Sequence, residues 1–351
     1  MFLNDIWYFA AAGEQVKRGQ MMRKILLGAP IVLGRTKEGE LFALRDICPH
    51  RGVPLSAGKL YDADHSGCGA SALECPYHGW KFTVNGQCAE IPSLVPGQDM
   101  VAERISVRRY PVREIGGNLW IYMADDAHAE EPPVCEPPAL PGFDARAPQL
   151  REAMTFSCHV DHAVIGLMDP AHGPFVHRSW WWRTGASIHQ KAKHFAPAER
   201  GFSMVRHRPS KNSFAYKILG GSPTTEITFQ LPGVRTETIE VGRHRLVGLT
   251  SVTPVDDQTT EITQSFYWTL PLLGLLKPLA RPFIRTFLKQ DRDMVDLQQE
   301  GLKFDPRLML INDADVQAKW YHRLKTEWTN ARSETRAFVN PVKETELHWR
   351  S

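Results

Sequence analysis

The sequence predicts an α+β protein of two domains, an antiparallel β domain followed by a domain that mixes strands and helices. Short strand-like runs separated by turn residues fill residues 1–125. From residue 149 onward, strand-like runs lie between segments with helical periodicity. A proline-rich segment separates the two patterns, and a length of 351 residues suits two domains.

The N-terminal domain, residues 1–125, is predicted from short runs rich in β-branched and aromatic residues. Turn residues bound each run, and Asn85–Gly86 is the strongest hairpin signal in the chain. We therefore expect antiparallel strands joined by tight turns. The predicted strands include Ile31–Leu33, Leu41–Leu44, Lys81–Val84 and Leu119–Tyr122.

Residues 126–148 contain six prolines and several acidic residues, which predicts an extended, semi-rigid connector. The following domain, residues 149–351, has a helical pattern at Asp161–His177 that is interrupted near its end. Further helices are predicted at Ile284–Leu302 and Asp313–Trp328, and the C-terminus is expected to be helical. Strands are predicted at Phe202–His207, Ser213–Leu219, Glu226–Gln230, Arg245–Thr253 and Glu261–Leu270.

Composition excludes several classes of protein. The net charge of +3 is small and dispersed, so no nucleic-acid partner is expected. No window reaches the 18 or so apolar residues of a transmembrane helix. The N-terminal residues lack the pattern of a secretory signal, and six cysteines in a chain of this length do not form a disulfide framework. A cytoplasmic location is the expectation.

Two motifs of the N-terminal domain, Cys48–Gly52 and Cys75–Trp80, each hold one cysteine and one histidine among proline and glycine. A mononuclear zinc site accepts two thiolates and two imidazoles. A Rieske [2Fe–2S] cluster suits them better, because one iron takes two cysteines and the other takes two histidines. The interval between the motifs also contains His65 and Cys68, which we expect near the cluster without binding it. The predicted ligands are Cys48, His50, Cys75 and His78.

A second metal site is predicted from His172 and His177. Histidines five positions apart diverge by about 140° on an unbroken helix, but Gly173 and Pro174 interrupt the helix between them. The two imidazoles can therefore converge, and non-heme Fe(II) oxygenases bind iron through two histidines and one carboxylate.

The carboxylate is predicted from helix periodicity. Asp291 has apolar residues at positions −4, +3 and +4, whereas Asp293 and Asp296 have polar neighbours. A carboxylate on an apolar face is costly unless it is paired or binds a metal. Pairing with Arg281 or Arg285 is the alternative to metal binding.

The whole chain resembles the oxygenase component of Rieske non-heme iron oxygenases, and most closely the vanillate O-demethylase type. The resemblance rests on the two cluster motifs, on Leu167–His177, on Asp291–Met294 and on Trp7–Tyr8 near the start. It implies a catalytic domain with a central antiparallel sheet covered by helices. The chain departs from the family in its long interval between the cluster motifs and in Ile165–Gly166, where relatives usually carry polar residues.

The resemblance also implies roles for single residues. His172, His177 and Asp291 match the positions that bind the mononuclear iron, and Asp169 matches the acid that bridges cluster and iron between subunits. Such a bridge implies a homotrimer arranged head to tail. Aromatic side chains suit the lining of a substrate pocket, and the candidates are Trp180, Trp181, Trp182 and Tyr267.

These observations predict a terminal oxygenase that uses O₂ to hydroxylate or O-demethylate an aromatic or other apolar ring substrate. The chain has no Gly-x-Gly-x-x-Gly motif, so electrons are expected from a separate NAD(P)H-dependent reductase or ferredoxin. One alternative is a Rieske electron carrier without a working mononuclear iron. Another is an oxygenase for a sterol-like or lipid-like substrate, with the segment Leu270–Leu288 as a lid.

Overall fold

The structure is a computed structural model that describes residues 2–177, 188–209, 222–270, 273–274 and 277–351. The chain forms two compact units, Asn4–Ala147 and Pro148–Ser351 with Met1–Leu3. Each unit is built on antiparallel sheets, and the helices of more than one turn all belong to the second unit. The predicted α+β class is confirmed.

The first unit contains three antiparallel sheets with the strand orders β1-β10-β9, β2-β3-β4 and β5-β6-β7-β8. The strands are β1 (Ile6–Ala12), β2 (Gln20–Leu26), β3 (Ala29–Arg35), β4 (Leu41–Arg45), β5 (Lys59–Tyr61), β6 (Ala72–Glu74), β7 (Lys81–Thr83), β8 (Cys88–Glu90), β9 (Val112–Ile115) and β10 (Asn118–Met123). The four predicted runs coincide with β3, β4, β7 and β10.

The predicted turn at Asn85–Gly86 joins β7 to β8. The Gly86 N–H donates to the Thr83 carbonyl oxygen at 2.8 Å, and Gly86 has a φ of +90°. A Cβ atom at this position would lie 2.3 Å from the Val107 carbonyl oxygen. Both the backbone conformation and the close approach therefore require glycine.

The proline-rich segment 126–148 packs onto the first unit instead of linking two separate bodies. Leu140 and Phe143 are buried, and the Trp7 indole N–H donates to the Cys135 carbonyl oxygen at 2.7 Å. The Gly116 N–H donates to the Asp144 carbonyl oxygen at 2.6 Å. These anchors outweigh the extended character that the prolines predict, and the first unit ends at Ala147.

The second unit contains one eight-stranded antiparallel sheet with the order β11-β17-β16-β15-β14-β13-β12-β18. The strands are β11 (Leu150–Phe156), β12 (Gln190–Ala198), β13 (Gly201–His207), β14 (Thr224–Gln230), β15 (Val234–Val241), β16 (His244–Asp256), β17 (Thr259–Trp268) and β18 (Thr345–Arg350). The helices are α1 (Val160–Met168), α2 (Gly173–Val176), α3 (Lys277–Leu302) and α4 (Val316–Ser333).

Helices pack on one face of this sheet. The ring centroids of Trp320 on α4 and Phe202 on β13 lie 5.1 Å apart, and those of Tyr321 and Phe229 lie 5.9 Å apart. On the same face, Glu152 of β11 pairs with arginines of α3. The predicted sheet covered by helices is confirmed.

Most predicted elements of this unit are present, with two differences. The predicted strand Ser213–Leu219 lies outside the described residues. The chain ends in β18, which pairs with β12, whereas a helical C-terminus was expected. Among the described residues, no helix combines the length and the apolar character needed to cross a bilayer.

Candidate metal centres

The two cluster motifs adopt the same backbone closure. In the first motif, the Cys48 N–H donates to the Val53 carbonyl oxygen at 2.9 Å and the Gly52 N–H donates to the Cys48 carbonyl oxygen at 2.8 Å. In the second, the Cys75 N–H donates to Trp80 at 2.8 Å and the Gly79 N–H donates to Cys75 at 3.0 Å. Both glycines have a left-handed φ, +73° and +71°. Each motif is therefore a loop that closes on its own cysteine.

The cysteines and histidines of these loops have opposite burial. Cys48 and Cys75 belong to the hydrophobic core of the first unit, whereas His50 and His78 are exposed. The two imidazole rings lie 4.6 Å apart between centroids, and the His50 ring stacks on Trp80 at 4.8 Å. The loops thus present two thiols on the inside and two imidazoles on the outside.

This arrangement fits a cluster that divides its ligands between two irons. Burial raises the pKa of the Cys48 thiol to about 11, so a bound metal has to stabilise the thiolate. A [2Fe–2S] cluster would place the two buried cysteines on one iron and the two exposed histidines on the other, which matches their opposite burial.

His65 and Cys68 are engaged in the loop between β5 and β6. The His65 ring nitrogen Nδ1 lies 2.5 Å from an Asp62 carboxylate oxygen, and Cys68 contacts Ser66. The amino group of Lys37 forms a hydrogen bond to the second oxygen of Asp62. This loop therefore holds its own polar groups together around Asp62.

The second centre begins where α1 ends. After α1, the backbone enters the short helix α2, which has Pro174 in its first turn. His172 precedes α2, and the His177 N–H closes it by donating to the Gly173 carbonyl oxygen at 3.0 Å. The interruption brings the Nε2 atoms of His172 and His177 to 3.2 Å from each other.

Asp291 of α3 completes this group. Its Oδ1 atom lies 3.2 Å from His177 Nε2 and 3.7 Å from His172 Nε2. Among the described residues, these three side chains form the group whose donor atoms could hold one metal ion. With bonds of about 2.1 Å at right angles, three donors on one face of a metal lie about 3.0 Å apart. The three donors therefore fit a mononuclear iron, which would keep positions for O₂ and substrate.

Arginine pairing does not account for Asp291. Arg281 and Arg285 contact Glu152 instead, with nitrogen–oxygen distances of 3.0 and 3.6 Å. Asp293 pairs with Lys289 at 2.5 Å on the same helix. The carboxylate of Asp291 faces the two histidines, although its side chain is 30% exposed and Met294, one of the apolar neighbours that predicted a buried face, is 44% exposed.

Residues around His177 were not predicted from the sequence. His177 is only 2% exposed, and its ring stacks on Phe287 with centroids 3.6 Å apart. Its Nδ1 atom lies 3.1 Å from Oε1 of Gln290. Phe287 and Gln290 occupy positions −4 and −1 relative to Asp291, so the helical spacing that selected Asp291 also selects its neighbour Phe287.

Asp169 lies against the other histidine. One Asp169 oxygen accepts the Ala171 N–H at 2.7 Å, and the other lies 3.6 Å from His172 Nδ1. Burial opposes ionisation of Asp169, but the nearby His172 imidazole and the hydrogen bond from the Ala171 N–H outweigh it and keep the pKa of Asp169 below its usual value. The same carboxylate and Asp291 raise the pKa of His172 against the effect of burial. Among the described residues outside its own helix, none has an atom within 4 Å of where a Gly166 Cβ would project.

The predicted pocket residues have different outcomes. Trp180, Trp181 and Trp182 lie outside the described residues. Tyr267 is fully buried on the sheet face opposite the helices, so the prediction that it lines the iron pocket is wrong. Successive cross-strand pairs from β14 to β17 place the side chain of Gln264 on the same face as Phe229, which the helices cover. Tyr267 lies three positions after Gln264 on β17, so strand alternation places its side chain on the opposite face.

The neighbours of Tyr267 lie on the helix-covered face of the sheet. Phe266 and Trp268 are half-buried there. The amino group of Lys277 lies 5.8 Å from the Trp268 ring centroid. Phe266 and Trp268 therefore replace Tyr267 as aromatic candidates for a pocket on the side of the metal ligands.

Most of the chain matches two known protein domains. Residues 6–111 match the Rieske [2Fe-2S] domain, and residues 156–331 match the vanillate O-demethylase oxygenase C-terminal domain. The oxygenase component of dicamba O-demethylase from Stenotrophomonas maltophilia is 35% identical over 182 residues, which are 51% of this chain and 48% of that protein. The 4beta-methylsterol monooxygenase of Methylococcus capsulatus is 33% identical over 176 residues, 50% of this chain and 44% of that protein.

The chain thus spans about half the length of these relatives. The fold is shared more widely. The crystal structure of dicamba monooxygenase bound to 3,6-dichlorosalicylic acid superimposes with a TM-score of 0.74 at 22% identity, covering 95% of this chain and 99% of that one. The chain belongs to the family of Rieske oxygenase components that carry the vanillate O-demethylase C-terminal domain.

Proposed function

We propose that this protein is a terminal oxygenase that hydroxylates or O-demethylates an aromatic or other apolar ring substrate. The observation that carries the proposal is the convergence of His172, His177 and Asp291 within 3.2–3.7 Å. Two histidines and one carboxylate on one face of a metal are the ligands of oxygenase iron sites. An electron carrier without a second iron would need only the cluster ligands, and the convergence of these three side chains would have no function in it.

Cys48, His50, Cys75 and His78 would hold the [2Fe–2S] cluster. When both metals are bound, the cluster supplies single electrons and the iron supplies open positions for O₂. His50 and His78 are exposed, which suits electron entry from another protein. The electron donor would be a separate NAD(P)H-dependent reductase or ferredoxin.

Asp169 would link the two centres between subunits. One of its oxygens is fixed by the Ala171 N–H, and the other is directed towards His172. We propose that Asp169 also accepts a hydrogen bond from a cluster histidine of a neighbouring subunit in a head-to-tail homotrimer. Asp169 would then orient His172 as carboxylates commonly orient metal-bound histidines.

A methoxylated aromatic acid is the substrate class that we favour. For an aryl methyl ether, one atom of O₂ enters the methyl C–H bond and the other leaves as water with two electrons and two protons. The resulting hemiacetal separates into a phenol and formaldehyde. The aromatic side chains of Phe266 and Trp268 on the helix-covered face suit a flat apolar ring. None of the six cysteines forms a disulfide, in keeping with the cytoplasmic location that we propose.

The first test is to purify the protein anaerobically and measure iron, acid-labile sulfide and turnover. We expect about three irons and two sulfides per chain, and formaldehyde from one of a panel of methoxybenzoates supplied with a reductase. About two irons per chain with no turnover would support the electron carrier. A colourless protein that contains zinc and no sulfide would exclude both.

A sterol-like substrate is the second candidate. It is favoured by the start of α3, where Leu279 is 63% and Phe283 is 43% exposed beside basic residues. The 4beta-methylsterol monooxygenase is among the relatives. Adding a methylsterol in detergent to the same panel separates the two candidates by their oxidised products.

A further inference from the structure

Gln290 contacts a predicted iron ligand without being one. Its Oε1 atom lies 3.1 Å from Nδ1 of His177, on the side of the ring away from Asp291 and His172. The two residues lie 113 positions apart in the sequence. The contact therefore depends on how α3 packs against the segment after α1.

The chemistry of the imidazole assigns the proton in this contact. A neutral histidine carries one N–H, and the nitrogen that binds a metal must be the other one. Nε2 of His177 faces Asp291 and His172, so Nδ1 must carry the proton and donate it to the Gln290 oxygen. An amide oxygen accepts this hydrogen bond whether or not a metal is present.

Three contacts with the second centre come from one stretch of α3. Phe287, Gln290 and Asp291 lie within an arc of about 100° on the helix. Phe287 stacks on the His177 ring, Gln290 accepts from it, and Asp291 supplies the neighbouring ligand. Because His177 is 2% exposed, water cannot readily replace the Gln290 oxygen.

We propose that Gln290 is a positioning residue that fixes the tautomer and the ring plane of His177 for metal binding. This inference rests on the proposed function, since it assumes that the three ligands hold iron. It also distinguishes the two histidines. His172 is supported by a carboxylate at 3.6 Å, and His177 by a neutral amide at 3.1 Å.

The test is anaerobic equilibrium dialysis of the full-length, cluster-containing protein against Fe(II) after removal of the mononuclear metal. Gln290→Met keeps the length of the side chain and removes the acceptor, so Fe(II) affinity should fall about 10- to 100-fold. Gln290→Glu keeps an acceptor oxygen at the same distance, and its affinity should stay within about threefold of the wild type or increase. Gln298→Met, at an exposed position of the same helix, is the matched control and should not change affinity.

A spectroscopic readout separates positioning from general stability. With the cluster oxidised, the EPR signal of Fe(II) treated with nitric oxide reports the ligand geometry. Gln290→Met should change the rhombicity of this signal, whereas Gln290→Glu and Gln298→Met should retain it. Acid-labile sulfide should be unchanged in all variants. If Gln290→Met does not fold, Gln290→Asn withdraws the same oxygen by one methylene and should also lose affinity.

The outcomes distinguish this inference from the proposed function. A wild-type protein that binds no Fe(II) beyond its cluster would overturn both. A wild type that binds Fe(II), with Gln290→Met within threefold of it, would overturn the role of Gln290 alone. Equal losses in Gln290→Met and Gln290→Glu would also overturn it, because they would assign the side chain to packing.

Discussion

The two metal centres of this chain are assembled over very different sequence distances. Each cluster loop offers its cysteine and its histidine from neighbouring positions and closes by hydrogen bonds to its own cysteine. The mononuclear centre instead joins the segment after α1 to a helix more than a hundred residues later. The first centre is therefore fixed by local backbone conformation, and the second by the packing of helices on a sheet.

The largest effect is expected from removing the distant ligand. Asp291→Ala should lower the iron content from about three to about two per chain, abolish turnover and leave the acid-labile sulfide unchanged. The reason is that the cluster loops share no residue with α3. Iron and sulfide analysis of the purified variant checks this.

Asp293→Ala is the control for that variant. Asp293 lies on the same helix, two residues on, and pairs with Lys289 instead of facing the histidines. It should keep three irons and most of the activity. Loss of sulfide in Asp291→Ala would contradict the independence of the two centres.

Asp169→Asn should separate metal binding from electron transfer. The variant keeps the size of the side chain and loses the negative charge beside His172. Both metals should stay bound while turnover falls at least about 100-fold. Single-turnover reduction of the cluster, followed by its reoxidation with substrate and O₂, measures the step. Reoxidation at the wild-type rate would remove Asp169 from the electron path.

The two cluster loops can be compared by one substitution in each. An alanine at Gly52 or Gly79 is strained by about 1–2 kcal/mol, because both have a left-handed φ. Only at Gly79 would the new Cβ also meet a neighbour, Pro92 Cγ at 3.2 Å, whereas the position at Gly52 is open. Gly79→Ala should therefore lose its cluster faster on heating than Gly52→Ala. Bleaching of the visible absorbance at one fixed temperature measures both, and equal rates would show that backbone strain alone matters.

The smallest effect is expected in the loop between β5 and β6. The hydrogen bond from Lys37, followed by that from His65, lowers the pKa of Asp62 to about 2, from an ordinary value of 3.8. The folded state thus favours ionised Asp62, and the resulting stabilisation is present above about pH 4 and lost as the pH falls towards 2.

Pepsin cleavage across this pH range tests the effect. Asp62→Asn should be cut in residues 62–71 a few-fold faster than the wild type near pH 5. The ratio of the two rates should fall towards one as the pH is lowered to 2, where Asp62 of the wild type is about half protonated. A ratio that does not change with pH would contradict the assignment.

The features that could be predicted from the sequence are those that depend on residues close together along the chain. The cluster motifs, the turn at Asn85–Gly86 and the break after α1 are signalled by consecutive residues. Asp291 was also accessible, because helical spacing places it on the apolar side of α3. In each case a local pattern determines where the side chain points.

Features that depend on pairing between distant strands were missed. Strands β12 and β18 pair with His194 opposite Glu346, 152 positions later, and both strands carry charged residues that weaken a strand signal. β15 alternates threonine with charged residues and was also missed. Tyr267 was misassigned for a related reason, since its face is set by the register of β16 and β17. Gln290 was missed because an amide beside an aspartate carries no signal of its own.

The stretch Phe287–Asp291 has a consequence for how the length of the chain can change during evolution. Adding or removing one residue there would rotate the following part of the helix by about 100°. At least one of the Phe287 ring, the Gln290 oxygen and the Asp291 carboxylate would then be displaced from the other two. Residues 62–71 between β5 and β6 carry no such constraint, because the contacts that hold them, from Lys37, Lys81 and Val84, do not depend on the spacing of residues along a helix. Insertions and deletions should therefore accumulate in the loop of the first unit and be excluded from this stretch of α3.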